Sequence, residues 1–176
     1  MSESTKTHKA TAPKQLKFVI FVCSTSRYQG LQKEEKITDI SGDMIEALLK
    51  NAGHIAMSNK IIADDKRMIE EAVKSVLNSK ELDAAIFCGG TGVAAKDVTI
   101  ETVQPFLEKI LPGFGEIFRR LSFDKVGSAA VMSRAVAGVA KGKALFCVPG
   151  SPNAVRLAVE TLILPEAPHI VRHARE

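Results

Sequence analysis

Apolar residues along the chain fall into short runs that predict buried β-strands. Residues 17–23 (KFVIFVC), 82–88 (LDAAIFC) and 143–148 (KALFCV) are almost continuously apolar, a pattern typical of strands that are buried on both faces of a sheet. Residues 54–63 predict a further strand between the first two runs.

Apolar residues at helical spacing predict helices between these strands. One helix begins at Asp39 or Ser41, either of which can cap its N-terminus, and ends at Gly53. A second follows Asp65 and runs to about Ser79. The order strand, helix, strand, helix, strand predicts an α/β fold, namely a three-layer, doubly wound, mostly parallel sheet with helices on both faces.

The remaining residues have a weaker pattern. They predict a loop over 28–37, a helix over 99–110, a turn at 111–116 with a short helix through Arg120, and short strands over 127–132 and 135–140. A helix is predicted over 154–164, and Pro165 and Pro168 separate it from a final helical piece.

Composition predicts one globular domain with a polar arm. Residues 1–15 are rich in Ser, Thr and Lys and predict a flexible arm. Residues 16–176 predict a single α/β domain, since 45% of the 176 residues are hydrophobic and 25% are charged.

Charge and cysteine content exclude several classes of function. The net charge is only +4, the arm carries half of it, and there is no Trp, so we expect no nucleic-acid partner. No apolar run approaches the roughly 20 residues of a membrane span, so we expect no membrane partner. Cys23, Cys88 and Cys147 lack metal-type spacing and follow apolar runs, which favours a reducing cytoplasm.

The most informative stretch is Phe87–Thr99, where an apolar strand leads into Gly89-Gly90-Thr91-Gly92, then Asp97, then a threonine that can cap a helix. Strand, glycine bend and helix start is an arrangement that binds phosphate, because backbone N–H groups can approach the anion. Such glycines also form ordinary tight turns, and the residues alone leave both interpretations open.

Polar residues follow three predicted strands, at Ser24–Arg27, Asp64-Asp65 and Gly89–Asp97. Carboxyl ends of parallel strands meet at one edge of a sheet, so these segments are expected to converge there. Asp64 and Asp97 are suited to a divalent metal that bridges phosphates. Each can instead cap a helix, and Asp65 competes with Asp64 for either role.

Several other residues are candidates for binding anions. Ser24 and Thr25 can bind a substrate phosphate or cap the loop, Ser151 lies at a strand-to-helix turn, and Ser133-Arg134 offers a hydroxyl and a guanidinium. No Ser-His-Asp set and no GxGxxG motif is evident. This combination suggests nucleotide chemistry that depends on positioning and Mg²⁺ rather than on a protein nucleophile.

Taken in order, these motifs resemble the molybdopterin-binding proteins of molybdenum cofactor biosynthesis, the MoaB and MogA group. The resemblance lies in Gly89–Gly92 with Lys96–Thr99, then 111–116, Ser133-Arg134 and Pro149–Pro152, and covers roughly residues 16–174. Residues 121–123 and 133–139 are most similar to the MoaB branch. Ser26 stands where the family often has an acidic residue, so no acidic role is expected in that loop.

The resemblance implies adenylation of molybdopterin by ATP with Mg²⁺, which gives adenylyl-molybdopterin and pyrophosphate. Asp64 and Asp97 would be catalytic and would hold the Mg²⁺. Nucleotide phosphates would bind at Gly89, Gly90, Thr91 and Gly92. The pterin or its terminal phosphate would lie near Ser133, Arg134, Gly150, Ser151 and Pro152.

The resemblance also implies an assembly, a homotrimer or homohexamer, and leaves alternatives open. The cofactor can be a molybdenum or a tungsten cofactor, and other cofactor-biosynthesis proteins are expected partners. Some members of the MoaB branch are thought not to adenylate, so a molybdopterin-binding carrier is one alternative. A related nucleotide pyrophosphatase is another.

Overall fold

The structure, a computed structural model, describes residues 13–176, so the predicted arm at 1–15 lies outside the described residues except for its last three. Six strands are present in this part of the chain: β1 Lys17–Cys23, β2 Ile55–Ile62, β3 Ala84–Cys88, β4 Lys109–Ile110, β5 Val136–Ala140 and β6 Lys143–Val148. The α-helices are α1 Thr25–Gln32, α2 Ile40–Asn51, α3 Lys66–Asn78, α4 Thr99–Val103, α5 Pro112–Val126, α6 Pro152–Ala158 and α7 Leu164–Ala174.

The strands form one sheet in the order β2-β1-β3-β6-β5-β4. Strands β2, β1, β3 and β6 are parallel, whereas β5 is antiparallel to both β6 and β4. The predicted mostly parallel sheet is therefore confirmed, with an antiparallel pairing added at one side.

Helices cover both faces of the sheet because the β1 side chains alternate between two apolar cores. Phe18 and Ile20 pack with α2, α5, α6 and α7, whereas Val19 and Phe21 pack with α3 and α4. Phe18 and Ile20 are fully buried and Val19 is 3% exposed, which explains the continuous apolar run of this strand. The predicted three-layer architecture is thus confirmed.

The three cysteines are free and buried within or at the ends of central strands. Burial raises the pKa of the Cys23 thiol to about 12, while the neighbouring Thr99 hydroxyl lowers it and Asp64 raises it further. Burial also raises the pKa of Cys147. Because thiolates are the reactive form, these cysteines act as packing residues and not as nucleophiles.

The predicted loop at 28–37 is wrong over its first half, because α1 begins at Thr25 and runs to Gln32. This helix starts directly after β1, with Ser24 in the N-cap position. Gly30 is the one buried residue of the helix, so it lacks the apolar periodicity by which a helix is usually predicted.

The predicted helix at 99–110 is also wrong in its second half. Helix α4 ends at Val103, a 3₁₀ turn containing Pro105 follows, and Lys109–Ile110 pairs with β5 as β4. The predicted turn at 111–116 is instead the start of α5, with Pro112 at a first-turn position where its missing N–H costs nothing.

Residues 127–132 form a 3₁₀ helix and not the predicted strand. Gly127 ends α5 with φ +62°, and the place beside β6 is taken by β5.

Pro165 and Pro168 do not interrupt the helical structure near the C-terminus, contrary to the prediction. Helical structure continues from Pro152 to Ala174 through a π-helical turn at Val159–Ile163, just before Pro165, where the wider turn accommodates the missing N–H.

We expect His54 to make the stability of the fold depend on pH. The Leu16 N–H donates to His54 Nδ1 at 3.2 Å, the ring is 7% exposed, and burial lowers its pKa below 6.5. The unfolded chain therefore takes up the proton first, so His54 favours folding fully above about pH 6.5 and loses this effect as the pH falls toward the lower folded pKa.

Thermal unfolding at pH 8 and pH 5 measures this effect. The wild-type protein should lose more stability on acidification than His54→Gln, whose side-chain oxygen can still accept from Leu16. Equal losses in the two proteins would contradict the assignment.

Candidate functional site

The loops after the parallel strands meet at one edge of the sheet. The Ser24 N–H donates to the Ile62 carbonyl at 2.8 Å, which joins the ends of β1 and β2. The Gly89 N–H donates to the Val148 carbonyl at 2.9 Å, which joins the ends of β3 and β6. The structure thus brings together the strand-end segments that the sequence indicated.

Asp64 is fixed by a reciprocal contact with Thr25, the first residue of α1. The Thr25 N–H donates to Asp64 Oδ2 at 3.0 Å, and the Asp64 N–H donates to Thr25 Oγ1 at 3.0 Å. The other carboxylate oxygen, Oδ1, is buried and has no hydrogen-bond partner. Asp65 is exposed and caps α3 through Met68 N–H at 2.9 Å, so the two aspartates have different positions.

Gly90 lies directly under the Asp64 carboxylate. Its φ is +60°, and a Cβ at this position would lie 2.3 Å from Asp64 Oδ1 and 2.4 Å from Thr99 Oγ1. The Thr99 N–H donates to the Gly90 carbonyl at 3.0 Å. Only a glycine allows both oxygens this close to the loop backbone.

Thr99 is a site residue that the sequence reasoning missed. It was considered only as a helix cap, but Val98 occupies the N-cap position and Thr99 is the first residue of α4. The side chain is 0% exposed, and its hydroxyl has no oxygen or nitrogen partner; it lies beside the Cys23 thiol, which is a weak hydrogen-bonding group. The contact with Gly90 depends on loop geometry that spacing does not reveal.

Asp97 closes the second half of the glycine loop. Its Oδ2 accepts from the Ala94 N–H at 2.9 Å, and its own N–H donates to the Ala94 carbonyl at 2.8 Å. A Cβ on Gly92 would lie 2.6 Å from Asp97 Oδ2. Each carboxylate therefore lies against one glycine of the loop, Asp64 on Gly90 and Asp97 on Gly92.

The loop after β6 packs against the glycine loop from the other side. Gly89 has φ +101°, and a Cβ on Gly150 would lie 3.2 Å from the Gly89 Cα. Ser41, near the start of α2, donates its hydroxyl to the Gly150 carbonyl at 2.8 Å. Gly150 thus joins the site through backbone contacts.

Arg134 contacts the glycine loop directly. Its Nε donates to the Thr91 carbonyl at 2.9 Å, and its Nη2 lies 2.7 Å from Glu101 Oε1. The sequence predicts an anion ligand, and in the structure the guanidinium also joins the loop to α4. Thr91 is 4% exposed and Gly89 is also buried, so the accessible part of the glycine loop lies at the half-buried Gly90 and Gly92.

Ser133 and Ser151 lie together in a cleft of about 440 Å³. Ser151 also caps α6, since its hydroxyl accepts from the Ala154 N–H, and Pro152 is the first residue of that helix. Lys125 and Arg156 supply cations to this cleft, and Phe118 and Leu157 form its apolar floor. Such a lining suits a flat, partly apolar ligand that carries an anionic group.

An ion pair beside the loops, between the buried Asp39 and the half-buried Arg27, has no signal in the sequence pattern. Asp39 is 7% exposed, accepts from the Gly42 N–H at 3.1 Å and pairs with Arg27 Nη1 at 3.3 Å. Burial raises the pKa of Cys88 to about 12, and the charges of Asp39 and Arg27 act on it in opposite senses. Both charges therefore lie near the end of β3. The sequence identified Asp39 only as a helix cap, a role it also has.

The oxygen donors at this edge fit a magnesium ion that is partly coordinated by phosphates. Mg²⁺ prefers carboxylate and other hard oxygens and keeps several waters or phosphate oxygens. Asp64 Oδ1 is an unpartnered oxygen of this type. Within residues 13–176 no three His, Cys, Asp or Glu side chains are arranged to hold a metal, so protein oxygens alone would not complete the coordination.

Replacing Gly90 with Ala should displace the Asp64 and Thr99 oxygens. The new methyl group would overlap both oxygens, and φ +60° is unfavourable for Ala, so we expect a loss of about 2 kcal/mol or more in stability. Gly127→Ala is the matched control, because its φ is +62° and nothing lies within 4 Å of its Cβ position. Chemical denaturation measures both variants, and equal losses would contradict the described packing.

The described chain is an α/β protein with the architecture of a phosphate-binding protein, namely a glycine loop and helix starts at the carboxyl ends of parallel strands. Residues 19–169 match the family described as probable molybdopterin binding domain. The chain therefore belongs to this family. No helix of the described residues is long and apolar enough to cross a membrane.

Individual relatives agree with this assignment. The chain is 41% identical over 174 residues to molybdenum cofactor biosynthesis protein B of Bacillus subtilis, covering 98% of each chain. It is 40% identical over 163 residues to a probable molybdopterin adenylyltransferase of Methanocaldococcus jannaschii, covering 93% of this chain and 96% of the relative. The tungsten cofactor synthesizing protein MoaB from Pyrococcus furiosus superposes with a TM-score of 0.82 at 37% identity, covering 94% and 100% of the two chains.

Proposed function

We propose that the chain is a molybdopterin adenylyltransferase that acts in the biosynthesis of a molybdenum or tungsten cofactor. The observation that carries the proposal is the packing of two carboxylates, Asp64 and Asp97, against two glycines of one phosphate-type loop. Identity of 40% to a probable molybdopterin adenylyltransferase supports the reaction type. The substrates are molybdopterin and ATP, and the products are adenylyl-molybdopterin and pyrophosphate.

The chain's own residues position the reacting phosphates. Backbone N–H groups of Gly90–Gly92 bind the nucleotide phosphates, while the Gly89 N–H stays bonded to the Val148 carbonyl and fixes the start of the loop. The N-terminus of α1 lies beside the loop through the Thr25–Asp64 contact. A phosphate oxygen of molybdopterin attacks the α-phosphorus of ATP, and the bond to the pyrophosphate oxygen breaks. This displacement is direct and needs no protein nucleophile, and the buried cysteine thiols take no part in it.

Mg²⁺ would be held near Asp64 and Asp97 and would neutralise charge on the phosphates. Asp64 contributes the unpartnered Oδ1, whereas one oxygen of Asp97 is committed to the Ala94 N–H. Asp97 therefore holds the loop closed and also places its carboxylate beside Gly92.

The pterin binds in the cleft that contains Ser133 and Ser151. Its ring system would lie on the apolar floor, and Arg156 and Lys125 would favour its phosphate. Arg134 acts indirectly, because its contact with the Thr91 carbonyl sets the orientation of the glycine loop.

We further propose that the chain works in the cytoplasm beside other cofactor-biosynthesis proteins as a homotrimer or homohexamer. Large apolar side chains of α5 and the following 3₁₀ helix are exposed, Val131 at 81% and Phe123 at 56%, and association would cover them.

Light scattering should show a trimer or hexamer that Val131→Lys weakens and Leu31→Lys, on α1, leaves intact. A monomeric wild-type protein would contradict the assembly.

Asp64→Asn and Asp97→Asn should each lower the rate of adenylyl-molybdopterin formation by about 100-fold or more, because a carboxylate that stabilises transferring charge is lost. Molybdopterin binding should be largely retained, since the cleft with Ser133 and Ser151 is unchanged. Asp65→Asn is the matched control: it keeps an N-cap side chain on α3 and should leave the rate almost unchanged.

The same assay separates the alternative functions. Loss of molybdopterin binding in Asp97→Asn, without a specific loss of turnover, would contradict the division of roles. Tight molybdopterin binding with no product in the wild-type protein would establish a carrier, and cleavage of a dinucleotide would establish a pyrophosphatase.

A further inference from the structure

Two histidines of α7 lie on one face of the helix, one turn apart. The Nε2 atoms of His169 and His173 are 2.9 Å apart, and the ring centroids are 4.7 Å apart. Histidines at i and i+4 lie one above the other on a helix, so both imidazole edges point at the same place.

A carboxylate holds the outer nitrogen of each ring. His169 Nδ1 lies 3.3 Å from Glu166 Oε2, and His173 Nδ1 lies 2.8 Å from Glu176 Oε2. An ionised carboxylate only accepts hydrogen bonds, so each Nδ1 carries the proton. In the neutral rings, both Nε2 lone pairs then face each other.

Two lone pairs at this distance repel unless a positive charge lies between or beside them. That charge is either a proton shared by the rings or a metal ion that both nitrogens coordinate. An imidazole whose outer N–H is held by a carboxylate is also the arrangement that orients histidine ligands at metal sites. The geometry therefore favours a cation at the Nε2 pair.

Solvent can reach this place. The side chains of His169 and His173 are 23% and 41% exposed, and both line a cleft of about 380 Å³ together with Glu108 and Lys109. Lys109 and Arg172, whose Nε lies 3.3 Å from Glu176 Oε1, add opposing charges, whereas Glu108 and Glu166 favour a cation. Water can fill the coordination positions that the two imidazoles leave.

The site lies away from the glycine loop. Arg175, just after α7, pairs with Asp83 and donates from Nε to the Gly142 carbonyl at 3.1 Å. Asp83 precedes β3, whereas the glycine loop follows it, so the two sites lie at opposite edges of the sheet. Binding of a cation at the histidine pair is therefore independent of the proposed adenylation at the glycine loop.

We propose that His169 and His173 form a binding site for a divalent transition-metal ion such as Zn²⁺. Imidazole nitrogens suit Zn²⁺, Ni²⁺ and Cu²⁺ and disfavour Mg²⁺. With two protein ligands and water, the site binds the metal reversibly and more weakly than a closed four-ligand site. Binding ties the last two turns of the chain together.

Competition with a chromophoric zinc chelator, on metal-free protein at pH 7.5, measures the affinity. The wild-type protein should bind one Zn²⁺ per chain, and His169→Gln or His173→Gln should weaken binding by at least about 10-fold, since each removes a ligand. His8→Gln/His54→Gln, which alters the other two histidines, should bind as the wild type does. Zn²⁺ but not Mg²⁺ should raise the midpoint of thermal unfolding.

Several results would overturn the site. These are absence of Zn²⁺ binding by the wild-type protein at millimolar metal, unchanged affinity in both single variants, or loss of affinity in the His8/His54 variant. Circular dichroism of each variant at 25 °C confirms that it is folded before the titration. Because binding is measured directly, the outcome is separate from that of the adenylation assay.

Discussion

The contact between the Asp64 carboxylate and Gly90 is the constraint on which the rest of the site depends. Thr25 follows β1 and orients the carboxylate, Asp64 follows β2 and carries it, and Gly90 follows β3. One close approach therefore aligns the ends of three strands. The approach requires a residue without Cβ and with positive φ. Thr99 then returns to the same glycine at the start of α4.

Two arginines at this edge are paired with carboxylates of the protein, whereas Asp64 and Asp97 are paired with no cation of the described residues. Arg134 is engaged with Glu101 and the Thr91 carbonyl, and Arg27 is engaged with the buried Asp39. These two arginines are therefore committed to contacts within the protein, and the cleft at Ser133 and Ser151 contains other cations, Lys125 and Arg156. The proposed phosphate binding by backbone N–H groups and the proposed pterin binding by a separate cleft fit a reaction in which two phosphates must be aligned.

The sequence predicted the elements that have a continuous or a periodic apolar pattern and missed the one helix that has neither. Lys17–Cys23 and Lys143–Val148 are confirmed to the residue because both faces of each strand are covered. Helix α1 was missed because it buries only Gly30. Residues 127–132 are apolar but form a 3₁₀ helix, since strand pairing is decided by which edge is available and not by hydropathy.

The sequence predicted which residues belong to the candidate site but not which of them contact each other. Glycine spacing indicated the loop, yet Asp64 and Asp65 could be told apart only by which one faces Thr25. The contact of Arg134 with Thr91 joins residues 43 positions apart, and such long-range pairs leave no local pattern.

The most direct measurement of the central claim follows the phosphorus of ATP. The protein is incubated with molybdopterin, Mg²⁺ and ATP labelled either at the α- or at the γ-phosphorus. Positioning of the α-phosphorus by the glycine loop predicts that the α label appears in the pterin product and the γ label in pyrophosphate. No transfer of the α label, in a protein that binds both substrates, would contradict the account.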